Sequence, residues 1–164
     1  MRTPQPLDPA DHRRRPWRVH AIAAAEGMRL LDVWEVEAEL PPGATLEQWI
    51  EAFQRERRGL LARTLFALRG ALGKLLRLDP GGIGFVEVYT EAAERLRRID
   101  NRTVSALLHF SLASRRPRLA VYARPKGWVG RVYLRTIEPF RRHVVYPALL
   151  AAGRRAVDRL HGVA

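Results

Sequence analysis

The chain has 164 residues, 47% of them hydrophobic, no Cys and a formal net charge of +12. That length and apolar content suit one domain with a real core, and the missing Cys excludes disulfides, thiolate metal sites and thiol nucleophiles. Every apolar run is interrupted by Arg before it reaches membrane-spanning length.

The N-terminus lacks the apolar stretch of a signal peptide, so a cytoplasmic setting is expected. The cations are nearly all Arg, with two Lys, and their excess over acids favours acidic partners such as nucleic acid or anionic lipid.

Residues 1–16 contain Pro4, Pro6, Pro9 and Pro16 and the basic run His12 to Arg15, without apolar periodicity. They read as a disordered or loosely docked basic arm, with a single domain over 17–164. Trp34, Val36, Ala38 and Leu40 alternate with Glu35, Glu37 and Glu39, which predicts a half-buried strand. Its acidic face is a solvent face or one salted by Arg, rather than a metal site. Pro41-Pro42-Gly43 ends it.

Thr45 and Gln48 have the spacing of a capping box, and Leu46, Trp49, Ile50 and Phe53 follow at i, i+3, i+4 and i+7. A second helix is expected over Leu60 to Leu78. No acid occurs between Arg57 and Leu78, and Arg63, Phe66, Arg69, Lys74 and Arg77 lie opposite its leucine stripe. This basic amphipathic pattern is what an anionic membrane contact uses, and also what an ordinary surface helix looks like.

Asp79-Pro80-Gly81-Gly82 is a turn, and Ile83 to Thr90 alternates as a strand. Glu91 to Ile99 fits either helix or strand. Thr103 to Leu112 and Arg118 to Arg124 read as a hairpin around Ser114-Arg115-Arg116-Pro117. From Gly130 to Leu160 runs a long helix with an apolar line through Tyr133, Ile137, Phe140, Val144, Ala148 and Ala151, bent at Pro139 and Pro147. The order predicts an α+β fold in which an antiparallel sheet wraps the terminal helix.

The segments PWRVH (16–20), LLDVWEV (30–36), IDNRTVSALLHFSL (99–112), LAVYARPKGWVGRVYL (119–134) and IEPFRRHVVYPALL (137–150) resemble an uncharacterised bacterial family of domain-of-unknown-function proteins placed in the SRPBCC superfamily of START and Bet v-like helix-grip domains. The resemblance implies a helix-grip fold with a ligand-sized space between sheet and terminal helix, and carries no catalytic residues. The strands are few for a full helix-grip sheet, so that space is expected to be small or filled.

The five His show no metal-binding spacing, and no nucleophile elbow or phosphate loop is present, so no metal or cofactor is expected. Trp34, Tyr89, Arg102, His109, Tyr122, Tyr133 and Arg135 are the candidate ligand-binding residues. His109 is the candidate acid or base, with a structural histidine as the plainer alternative.

Three functions follow. The first is binding of a hydrophobic or amphipathic small molecule without chemistry. The second is a cofactor-independent cyclase, dehydratase or isomerase using His109 or a Tyr. The third is contact with anionic membrane through Arg57–Arg77. Nucleic acid ranks last, because the basic stretch has no aromatic platform.

Overall fold

A computed structural model describes residues 7–15, 17–56 and 85–162. The basic stretch with Arg63, Phe66, Arg69, Lys74 and Arg77 lies outside them. Five strands form one antiparallel sheet: β1 (Arg29–Glu35), β2 (Phe85–Glu91), β3 (Glu94–Asp100), β4 (Val104–Ala113) and β5 (Arg116–Pro125). Their spatial order is β1-β5-β4-β3-β2. Helices α1 (Pro9–Arg13) and α2 (Arg18–Ala25) cover one face. Helix α3 (46–56) and the terminal helices α4 (Gly127–Phe140) and α5 (Tyr146–His161) cover the other. The expected α+β architecture, an antiparallel sheet with a long C-terminal helix, is what the chain adopts.

Strand register sorts the side chains. Leu96, His109, Ala120 and Val33 stand in one row across β3, β4, β5 and β1, beneath α2. Arg95, Phe110, Leu119 and Trp34 form a row on the opposite face, where Trp49 stacks on Phe53 against Phe110. Period-two alternation therefore loads both faces with apolar groups, as a sheet covered on both sides requires.

Local chemistry explains most boundaries. The Thr45 hydroxyl accepts from the Gln48 N–H while the Gln48 amide oxygen accepts from the Thr45 N–H, closing the capping box that opens α3. The ambiguous stretch is strand β3, joined to β2 through Ala92-Ala93. Ser114 and Arg115 join β4 to β5 with φ of 51° and 64°, the double positive φ of a type I′ hairpin turn.

Three expectations are corrected. Residues 7–15 are no loose arm: the Asp8 carboxylate caps α1 by accepting from Ala10 N–H, Pro9 sits in its first turn, and His12 is completely buried. Proline density concealed an Asp-Pro helix start. The first strand ends at Glu35 rather than Leu40; a bulge lies between Leu30 and Asp32, and beyond it Asp32, Val33 and Trp34 are buried in succession because both sheet faces are covered. The acidic positions are salted by Arg as expected, Glu35 by Arg118 at 2.6 Å and by Arg116.

The third correction concerns the terminal helix, which runs unbroken for 35 residues. A π-helical turn, Arg141–Val145, separates α4 from α5, between the two prolines. Winding at i→i+5 inserts extra chain and rotates everything after it. The buried face of α5 is consequently Tyr146, Leu150, Gly153 and Val157, while Val144 and Ala151 are exposed.

Candidate functional site

On the α3–α5 side, packing around Trp34, Trp49 and Tyr146 leaves a space of about 10 Å³, too small for anything beyond one water. Trp34, a candidate ligand contact, is there a core residue 4.8 Å from the Tyr146 ring. Beneath that pair lies a charged centre that sequence reading missed. Buried Asp32 accepts from the Tyr146 hydroxyl at 3.0 Å and pairs with Arg141 at 2.8 Å. Burial and the neighbouring Asp32 charge raise the Tyr146 phenol well above its usual range, so it stays a donor.

On the α2 side, an open cleft of about 490 Å³ lies between α1, α2 and the start of β1. Its apolar wall is Ala23, Ala24, Met28 and Leu30. Its polar wall is Arg13, Arg29, His20 and Tyr122. The His12 carbonyl can only accept, so the His20 ring bonded to it at 3.2 Å carries its proton on Nε2. Nδ1 of the same ring is hydrogen-bonded to the Tyr122 hydroxyl at 3.0 Å. Burial pushes the Tyr122 phenol upward, which keeps this donor protonated.

Behind this pair, three imidazoles gather: His12 is 5.4 Å from His20 and 5.3 Å from His109, ring centre to ring centre. Burial, followed by His109, His20 and Arg118, lowers His12 from 6.5 to about 3. His109 is also lowered by burial, against the opposing pull of Glu94. Glu94 is raised by burial, but the His109 contact and the backbone N–H groups of Val19 and Arg18 hold it below the usual carboxylate range. Burial thus favours the neutral form of His12 and His109 beside the Glu94 carboxylate.

The candidates named from sequence disperse. Tyr122 lines the cleft. His109 shares its sheet face but has no exposure and cannot touch a ligand. Tyr89 lies on β2 under the Arg18 guanidinium, 5.2 Å from the ring centre. Arg102 follows β3 at the turn into β4, and Tyr133 and Arg135 belong to α4. His20, Arg13 and Arg29 were missed. Helix α2 leaves that cleft's two walls on residues far apart in sequence, and only the Tyr122–His20 proximity, 102 positions apart, reveals them.

Among the described residues, no cluster of His, Asp and Glu could hold a metal ion, and no helix is long and apolar enough to cross a membrane. Searches of curated proteins and of solved structures found no match. Residues 24–148, which span the sheet and α4, match the family described as proteins of unknown function, DUF2867, and the chain belongs to that family.

Proposed function

We propose that this protein binds an amphipathic small molecule with an anionic group in the cleft beside α2. The carrying observation is the mixed lining: apolar Ala24, Met28 and Leu30 share one cleft with the cations Arg13 and Arg29 and the hydrogen-bonding pair His20–Tyr122. A volume near 490 Å³ falls in the range of small-molecule sites. Neither Arg is in an ion pair with a described carboxylate, which leaves both for a ligand anion.

The ligand class is the one expected from sequence; its place is the opposite sheet face. The SRPBCC helix-grip reading belongs to the same proposal. It is supported by the antiparallel sheet and the long terminal helix lying across it.

Decanoate, an apolar chain with a carboxylate, is the probe. Its titration followed by amide NMR should saturate, with shifts centred on α2 and Tyr122. Ala24→Trp, at an exposed helix position, should fill the cleft and abolish binding, and Arg29→Ala should weaken it severalfold. Binding that survives Ala24→Trp would overturn the assignment.

A second reading, acid–base turnover of the same ligand, rests on the Tyr122–His20 hydrogen bond at the cleft wall. Mass spectrometry of the molecules extracted from purified wild type and Tyr122→Phe separates the two. Product accumulating only with wild type supports turnover, and identical extracts reject it.

A further inference from the structure

The outer face of α4 carries an unusual set of side chains. Trp128 is 69% exposed and Val132, one turn on, is 46% exposed. Arg131 and Arg135, at i+3 and i+7 from the Trp, are exposed on the same side. Glu138, the acid of this helix, is half-buried and paired with Arg142 at 3.2 Å. No ion pair joins Arg131 or Arg135 to a described carboxylate.

This face is also held rigidly. Gly130, on the inner side, sits so close to the sheet that a β-carbon there would stand 2.1 Å from the Thr103 carbonyl. The Lys126 N–H donates to that carbonyl at 2.7 Å, fixing the helix entry. With the inner side locked, Trp128 and the two Arg cannot turn inward.

We propose that the outer face of α4 seats on an anionic lipid surface. Trp places an apolar body and an N–H at the depth of lipid headgroups, Val adds apolar contact, and Arg keeps its guanidinium among phosphates while its stem lies in the apolar margin. Charge complementarity selects the partner: the chain carries +12 overall, and on this face Arg131 and Arg135 are left unbalanced because Glu138 is paired with Arg142. The patch is one face of a single helix, so it lacks the area that a stable protein partner needs. It is distinct from the cleft beside α2, and the two proposals stand or fall separately.

Flotation of the full chain with phosphatidylcholine vesicles, with and without about one third phosphatidylserine, tests it. Wild type should float with the anionic vesicles alone, release at high salt, and show a blue shift of tryptophan emission. Trp128→Ala should remove most of that shift, because Trp34 and Trp49 are already buried and Trp17 is half-buried. The double variant Arg131→Glu, Arg135→Glu should bind at least tenfold more weakly, with its thermal midpoint unchanged, since both positions are exposed.

Failure of wild type to float with anionic vesicles would overturn the proposal. So would flotation that survives both variants, which would put the contact elsewhere on the chain. Binding to polyglutamate without binding to vesicles would assign the face to an acidic protein instead, and would equally overturn it.

Discussion

His109 Nε2 lies 3.1 Å from Glu94 Oε1, and the same carboxylate accepts from the backbone N–H groups of Val19 at 3.1 Å and Arg18 at 3.2 Å. Helix α2 has no side-chain cap of its own, since Trp17 occupies its N-cap position. Glu94, on β3, supplies that cap from 75 residues away. His109 is thus a structural histidine that steadies the carboxylate, and the carboxylate ties α2 to the sheet. Glu94→Ala should destabilise by about 2–4 kcal/mol, because it strands the buried Val19 amide, the part-buried Arg18 amide and a buried imidazole. Glu94→Gln should be milder. Urea unfolding of both variants checks the order; equal stability of Glu94→Ala and wild type would exclude the tertiary cap.

The buried imidazoles set a pH dependence with a definite sign. His12 is held at about 3 in the folded chain against 6.5 when exposed. A depressed histidine is stabilising above the unfolded value, and that stability drains away as pH falls from 6.5 toward 3, because the unfolded chain takes up the proton first. At pH 5 His12 alone accounts for about 2 kcal/mol of loss. His109, also lowered by burial, acts in the same direction. Glu94, lowered as well, adds a loss as pH passes below the ordinary carboxylate range. Arg118 and His20 face His12, and Arg13 faces Tyr122, and none of them adds an opposing acid. Urea midpoints at a series of pH values should decline from neutrality to pH 5, and His12→Leu should flatten that slope.

Asp32 and Tyr146 form the buried charged centre of the opposite face. Tyr146→Phe should cost about 1–2 kcal/mol by removing a hydrogen bond to a charged group. Asp32→Ala should cost about 3–5 kcal/mol, because Arg141, only 14% exposed in its side chain, loses its partner. A double-mutant cycle should give a coupling of at least 1 kcal/mol between the two. Additive effects would mean that the 3.0 Å contact does not hold in solution.

Glycine positions divide by what a β-carbon would meet. Gly130→Ala would press on the Thr103 backbone at 2.1 Å and should destabilise by about 3 kcal/mol. Gly162→Ala, whose nearest contacts are at 3.7 Å in an ordinary helical conformation, should change stability by less than about 0.5 kcal/mol. Thermal midpoints of the pair decide the matter. A tolerated Gly130→Ala would also remove the rigidity on which the α4 surface depends.

Much of the architecture was readable along the chain because its causes are local. Period-two alternation identified β4 and β5, and the Thr45–Gln48 pair marked the start of α3. The Glu138–Arg142 pair at 3.2 Å joins residues at i,i+4 spacing. These features depend on residues a few positions apart, and sequence distance reports them directly.

Tertiary structure alone decided the rest. Whether Val144 or Tyr146 faces the sheet depends on one π turn, since an extra residue rotates every later side chain. The cap of α2, the Asp32–Tyr146 centre and the Tyr122–His20 pair join residues 75, 114 and 102 positions apart. No periodicity encodes such separations. Strand order and helix docking bring them together, so the polar chemistry of the cleft exists only once both faces of the sheet have been covered.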